Sequence, residues 1–199
     1  MPSPTLSHNI DFLVRQLFAL NASKGWHKDD ITSAAMLAAK ISLVTDELHE
    51  AAAAENKLEF NGSKPDGQII EYVDVCWRAW ELIHWLGFTP SELMSQRSEE
   101  FTIEVMAKGA EFSIVCEPKP TDPVVRWVSY LRMANRCVRM VRRKEPRREV
   151  ALVLMLLSFG CMGEIGILCH EVGIDPMEAF QRKYDYNVTR PQRHGGMAF

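Results

Sequence analysis

The chain has no C-x-x-C pair, and its five cysteines (Cys76, Cys116, Cys137, Cys161 and Cys169) are an odd number. A disulfide framework and a zinc site are therefore disfavoured, and reduced, buried thiols in a cytoplasm are expected. No cationic start followed by an apolar stretch opens the sequence, so no signal peptide is expected. The longest apolar run, Val150 to Gly163, stops at Glu164, short of the ~20 residues that span a bilayer, and reads as a buried helix. A formal charge of -3 makes no general case for nucleic acid. What is plentiful is apolar content, 47% over 199 residues, enough for one substantial core or for two small halves sharing one.

Turn and cap residues divide the chain into helices and leave little room for sheet. A first helix is expected from about Ser7 to Asn21, then an acidic helix from an N-cap at Asp30 to about Lys57. Asn61-Gly62 and Lys64-Pro65-Asp66-Gly67 are turns, and a second acidic helix follows from Gln68 to Leu86, closed by Gly87. Thr89-Pro90-Ser91-Glu92 is a capping box opening a fourth helix that ends near Gly109. Residues 110–122 read as a linker. Asp122-Pro123 starts a fifth helix to about Lys144, Pro146 breaks it, a sixth runs to Val172, and Asp175-Pro176 opens a short seventh.

LIHWLGFTPSEL, from Leu82, matches LCHEVGIDPMEA, from Leu168, at a constant offset: 173 − 87 = 86 for the glycines and 176 − 90 = 86 for the prolines. The expected fold is an all-α bundle of two related halves. An acidic half spans 1–109, a degenerate repeat 123–185, and a substrate-contacting tail 186–199. At the same offset Leu157 stands for Glu71 and Gly160 for Asp74, so the second half lacks the acids.

Those acids are the most informative feature. Glu47-x-x-Glu50 and Glu71-x-x-Asp74 each place two carboxylates on one helix face, beside the apolar stripes of Ile41, Val44 and Leu48 and of Val75, Trp77 and Trp80. Two such helices packed together bring four carboxylates into one volume. Like charges at that range raise one another's pKa, and a hard divalent cation such as Mg²⁺ resolves the conflict while sharing its coordination shell with water and phosphates.

DELHE followed by EYVD resembles the ExxE and ExxD signature of the all-α nucleoside triphosphate pyrophosphohydrolases, the superfamily of MazG and the dimeric dUTPases. GWH at Gly25 to His27 and KYDYNVTRPQRHGG at Lys183 to Gly196 are similar to the flanks of its phage and bacterial MazG-like branch. The resemblance implies hydrolysis of a nucleoside triphosphate to the monophosphate and pyrophosphate, and its branch suggests a deoxynucleotide in pool remodelling or house-cleaning. It further implies Mg²⁺, with Mn²⁺ able to substitute, held by Glu47, Glu50, Glu71 and Asp74. Glu50 or Glu47 is the expected general base. Trp26, Lys183, Tyr186, Asn187, Arg190 and His194 are the expected substrate contacts, offering a stacking ring, point charges, a guanidinium fork and an amide. One site per chain is expected, in a homodimer, with no membrane and no nucleic acid as partner.

Other features compete with this reading. A non-catalytic nucleotide sensor or protein-interaction module is the main alternative on the same fold. Arg132, Arg136, Arg139 and Arg143 make a cationic stripe suited to nucleic acid phosphates or to balancing the acidic site, and no aromatics interleave it for base stacking. Glu81-x-x-His84 is a single di-iron half-motif where two are needed. His84 and His170 each stand three residues before a helix-ending glycine, where they favour the helix dipole.

Overall fold

Two helical hairpins packed against each other frame the molecule. The computed structural model describes residues 6–25, 33–59, 64–95 and 122–190. In chain order the helices are α1 (Leu6–Ser23), α2 (Ala34–Ala53), α3 (Gln68–Trp85), α4 (Pro90–Ser95), α5 (Pro123–Arg142), α6 (Arg147–Val172) and α7 (Pro176–Thr189). Among the described residues there is no strand, and the fold is all-α; the one sheet-like feature is a backbone bridge between Glu59 and Asp66. The hairpins α2–α3 and α5–α6 form a ring of four in which α2 meets α5 and α3 meets α6. Outside the ring, α1 lies on α3 and α4, and α7 lies on α3 and α6.

The apolar patterns account for this arrangement. On α2, Ile41, Val44, Leu48 and Ala51 form one stripe, all fully buried, as a helix with one inward face requires. Helix α3 is covered by neighbours on most of its circumference, and Ile69, Ile70, Val73, Val75, Cys76, Ala79 and Ile83 are all at zero exposure. Each fully buried aliphatic side chain contributes roughly 1.5–3 kcal/mol relative to exposure. Trp80 stacks on Phe180 of α7 with ring centroids 5.7 Å apart, and its indole N–H donates to the Ser158 hydroxyl of α6. Of the tryptophans expected in the core, Trp77 and Trp80 are buried, whereas Trp85 and Trp127 are half-buried. The four described cysteines are free and buried, and burial pushes the Cys76 thiol well above its ordinary range.

Helix α6 carries the apolar run seen in the sequence. It is longer than the run itself, at 26 residues, and by length and composition alone is long and apolar enough to cross a membrane. Within the bundle, 67% of its most apolar window is buried. Its core is Val150 to Leu157, buried without interruption.

Helix ends fall close to their expected places, with informative exceptions. The Thr89 N–H bonds the Glu92 carboxylate and the Glu92 N–H bonds the Thr89 hydroxyl, the reciprocal pattern of a capping box. Asp122 and Asp175 cap α5 and α7 ahead of their prolines. Helix α2 is capped by Ser33, and the expected cap Asp30 lies outside the described residues, as does everything from 96 to 121. Helix α2 ends at Ala53, not near Lys57, because residues 54–59 turn back to meet α3. The largest departure is at the end of the chain. Lys183, Tyr186 and Asn187 belong to α7, which continues to Thr189, so the expected tail is in this stretch an integral helix packed on the bundle.

The two related segments share backbone geometry at their helix ends. Gly87 and Gly173 both take positive φ, 93° and 74°. The Phe88 N–H bonds the Ile83 carbonyl, and the Ile174 N–H bonds the Cys169 carbonyl; these pairs are again 86 residues apart. Both are Schellman ends, in which a left-handed residue lets the chain close over orphan carbonyls. The offset also aligns Arg78 with Glu164 (164 − 78 = 86). Arg78 pairs with Glu47 across the first hairpin, and Glu164 pairs with Arg126 across the second, with the charges exchanged. Where the offset places the counterpart of Asp74, Gly160 makes room for the Tyr130 ring, whose hydroxyl donates to Glu164 at 2.8 Å. An aromatic ring thus fills the space that carboxylates take in the first hairpin.

Gly67 sets the register of the acidic hairpin. Its φ is 102°, and a Cβ there would lie 2.9 Å from the Asn56 carbonyl oxygen and 3.0 Å from Leu58. The same close approach lets the Asn56 and Lys57 carbonyls accept the first N–H groups of α3, from Gln68 and Ile69, at 2.9 Å each. The connection after α2 therefore caps α3 with backbone. Gly67→Ala is expected to destabilise the chain by about 2–4 kcal/mol, the sum of left-handed strain and a backbone clash. Urea denaturation followed by circular dichroism checks this, and a midpoint unchanged from that of the parent chain refutes it.

Candidate metal centre

Glu47 on α2 and Glu71 and Asp74 on α3 bring carboxylate oxygens within 4.8 Å of one another. Glu71 lies in the first turn of α3 and Asp74 one turn later, so the helix presents both to the neighbouring α2. Glu47 and Glu71 are each 7% exposed, and the Asp74 side chain is 17% exposed. Three acids in so little solvent would repel strongly if all were ionised and unpaired.

Two cations meet them. Arg78, one turn beyond Asp74 on α3, pairs with Glu47. Lys183, 6% exposed on α7, reaches across to pair with Asp74. Burial and the neighbouring Asp74 charge, with a hydrogen bond and charge from Glu47, push the Glu71 carboxyl up to about 8, against the pull of Lys183. Burial likewise raises Asp74, with Lys183 opposing. On Arg78 burial acts downward, but the Glu47 and Asp74 charges outweigh it and hold the guanidinium above its ordinary value. Charge therefore balances when Glu71 keeps its proton: two carboxylates face two cations. Ionising Glu71 leaves one uncompensated negative charge in a confined site. A hard divalent cation suits that donor set, because it replaces the Glu71 proton and offers each carboxylate oxygen a ligand bond.

Of the four expected acids, the structure brings three together. Glu50 lies one turn beyond Glu47 on α2 but is exposed and outside the triad, since a carboxylate at i+3 is rotated off the seam far enough to reach solvent. Of the expected substrate contacts, Lys183 belongs to the centre itself. Asn187, one turn further along the same face of α7, is 5% exposed and its side-chain oxygen has no hydrogen-bond partner. Tyr186 is half-buried with the Arg190 guanidinium 5.9 Å from its ring centroid. Trp26 and His194 lie outside the described residues.

Two contributors were missed by sequence reasoning. Arg78 stands among apolar residues of α3, and its place four residues after Asp74 puts it on the acidic face. Lys24 donates to the Val188 carbonyl at 2.7 Å and the Arg190 carbonyl at 2.6 Å, satisfying the last turn of α7 from the end of α1. No sequence signal reveals that contact, which spans 166 residues. It brings the end of α1, at Lys24, beside the end of α7, at Val188 and Arg190. Glu81, the acid of the half-motif, accepts from the Asn21 amide at 2.7 Å, and His84 packs edge-on against Phe18; neither belongs to the acidic triad.

The raised Glu71 pKa makes stability depend on pH in a definite direction. Its folded value of about 8 lies above the ordinary 4.5, so the folded chain binds more protons than the unfolded chain between those values. Metal-free stability should fall as pH rises from about 5 to 8, by a few kcal/mol in all. Glu71→Gln should flatten that slope and raise the metal-free melting temperature near pH 8. Thermal melts in chelator across this range test it; an unchanged slope in the variant overturns the assignment of the proton to Glu71. Comparison with known proteins finds no matching family, no matching curated protein and no matching solved structure.

Proposed function

We propose that the chain is a Mg²⁺-dependent nucleoside triphosphate pyrophosphohydrolase, converting a nucleoside triphosphate and water to the monophosphate and pyrophosphate. The observation that carries this reading is the convergence of Glu47, Glu71 and Asp74, with the Lys183 ammonium at the same point. Carboxylates that hold a cation, beside a lysine that neutralises phosphate oxygens, are the pairing a polyphosphate requires. The resemblance of DELHE, EYVD and KYDYN to the pyrophosphohydrolase signature supports the same chemistry.

Glu47, Glu71 and Asp74 would hold the cation, which would supply polarisation of phosphoryl oxygens and acidification of a water. Arg78 pairs with the Glu47 carboxylate and orients it. Lys183 exchanges Asp74 for a phosphate oxygen when substrate enters, keeping its charge compensated throughout. Asn187, with an unsatisfied amide oxygen on the same face of α7, accepts from a sugar hydroxyl or an ordered water. Glu50, exposed at the edge of the triad and free of its charge balance, takes the proton of the attacking water. The water oxygen bonds to the α-phosphorus, the bond to the bridging oxygen breaks, and pyrophosphate leaves with that oxygen. Positioning and charge compensation carry such a step without a covalent enzyme intermediate. A deoxynucleotide substrate, in a pool-remodelling or house-cleaning role, is the form of this reaction we favour.

The balance of two carboxylates by Arg78 and Lys183 favours one other reading, a closed ion network that joins α2, α3 and α7 without turnover, as in a nucleotide sensor or interaction module. The two readings separate in a single assay. Pyrophosphate release should be measured across the eight common NTPs and dNTPs with Mg²⁺, then with Mn²⁺. Turnover of at least one triphosphate is expected, abolished in Glu47→Gln, Glu71→Gln and Asp74→Asn by a factor of ~100 or more, as for loss of charge stabilisation worth a few kcal/mol. Glu50→Gln should lower kcat while Mg²⁺ binding, followed by calorimetry, persists. Absence of turnover with every triphosphate, or full activity in two of the three triad variants, overturns the proposal in favour of the closed network.

A further inference from the structure

The polar face of α3 runs on past the acidic triad toward α1. Asp74, Arg78 and Glu81 follow one another at intervals of four and three residues, so one side of the helix carries all three. Glu81 lies seven residues past Asp74, about 10 Å at the helical rise, and its charge acts on the Arg78 guanidinium. Two other helices border this stretch. Asn21 of α1 meets Glu81, and one turn later Lys24 holds the Val188 and Arg190 carbonyls at the end of α7. Asn187, next to Val188, is thereby brought to the same seam.

Two buried acceptors border that seam unpaired. The side-chain oxygens of Asn21 and Asn187 have no hydrogen-bond partner, and the two residues are 7% and 5% exposed. Buried polar groups are almost always paired, because an acceptor shut away from water without a donor is costly. Two such oxygens beside one seam point to a ligand that donates hydrogen bonds. Glu81 decides how Asn21 can read it. An asparagine amide is ordinarily ambivalent, since turning it over exchanges donor for acceptor. Here the Asn21 amide nitrogen donates to the Glu81 carboxylate at 2.7 Å, and the reversed amide would set oxygen against oxygen. Asn21 is thus fixed as an acceptor in a corner that already holds a carboxylate.

We propose that Asn21, held by Glu81, selects the base of the substrate, taking one whose exocyclic amine has no carbonyl beside it, cytosine or adenine, over uracil or hypoxanthine. The inference rests on the nucleotide reading of the acidic centre and adds to it the class of base. With Lys183 at the phosphates and Asn187 at the sugar, Asn21 and Glu81 mark the far end of α3's polar face, where the base lies. An exocyclic amine donates to the Asn21 oxygen and brings no acceptor with it. The ring N–H of uracil or hypoxanthine is flanked by carbonyl oxygen, which would be set against the Asn21 oxygen or the Glu81 carboxylate. Glu81 is a positioning residue, since it acts through Asn21. Entry requires the ends of α1 and α7 to part, and the bonds of the half-buried Lys24 to neutral carbonyls are ones that water can take over.

The test is calorimetric titration of the full chain, in Mg²⁺, with dCMP against dUMP and with dAMP against dIMP, pairs that differ only where an amine is replaced by a carbonyl and its ring N–H. In each pair that binds, the amino member should bind about tenfold tighter or more, as for a site that leaves an acceptor unpaired in the wrong ligand. Glu81→Gln, which keeps size and frees the Asn21 amide to turn over, should bring that ratio close to one. Asn187→Leu should weaken both members alike, with a melting temperature at or above that of the parent because an unpaired buried acceptor is gone. The proposal is overturned if neither pair binds, if the carbonyl member binds as well as the amino member, or if Glu81→Gln leaves the ratio unchanged. A ratio that collapses in Asn187→Leu instead overturns the role of Asn21. No turnover enters these titrations, so a chain that hydrolyses triphosphates without base preference sinks this inference alone, and a chain that discriminates the monophosphates without hydrolysis sinks the reaction alone.

Discussion

Three carboxylates sharing one buried point constrain everything around them. Glu47, Glu71 and Asp74 come from two helices, and holding them within 4.8 Å requires compensation from close range. Arg78 supplies it from within α3 and Lys183 from α7. The third helix is thereby tied to the acidic hairpin by an ion pair as well as by the stacking of Phe180 on Trp80. Breaking one partner of such a pair is costly because it strands the other charge in a poorly solvated place. Burial raises both the Glu71 and the Asp74 carboxyls, and a proton held there is what a cation can displace without rearranging the helices.

The second hairpin shows the same architecture relieved of that constraint. Its ion pair, Arg126 with Glu164, is bidentate in character, with the two guanidinium nitrogens at 2.7 and 3.0 Å from the two carboxylate oxygens. Tyr130 occupies the space beside Gly160 and donates to Glu164. Burial and the Glu164 charge hold the Tyr130 hydroxyl protonated, well above its ordinary range. One carboxylate, one guanidinium and one phenol meet here, with no excess charge among the three. This hairpin serves as the packing partner of the first, α6 against α3 and α5 against α2, which is the role an apolar helical face requires of something.

The two ends of the bundle differ in charge for a related reason. The acidic end is closed by the backbone turn through Asn56, Lys57 and Gly67, which fixes the start of α3 and with it Glu71. The opposite end is closed by the basic turn between α5 and α6, whose left-handed Lys144 allows a sharp reversal without glycine. One end concentrates negative charge inside the bundle, and at the other Lys144, Glu145 and Arg147 mix both signs at the surface.

Much of the architecture was legible in the sequence because it is local. Gly87, Gly173, Pro90, Asp122-Pro123 and Asp175-Pro176 mark helix ends through φ preference, missing N–H groups and side-chain caps, all of which act within a few residues. The apolar stripe of Ile41, Val44, Leu48 and Ala51 identified the buried face of α2, and the spacing of Glu71 and Asp74 put them on one face of α3. What tertiary structure alone decided is which charges meet. That Glu50 turns to solvent while Glu47 turns inward depends on the angle at which α2 packs on α3. That Lys183 closes the site depends on α7 continuing as a packed helix through a stretch whose composition reads as a tail. The partner of Asp74 lies 109 residues away, and no periodicity carries information across that distance; burial and charge compensation select it once the helices are assembled.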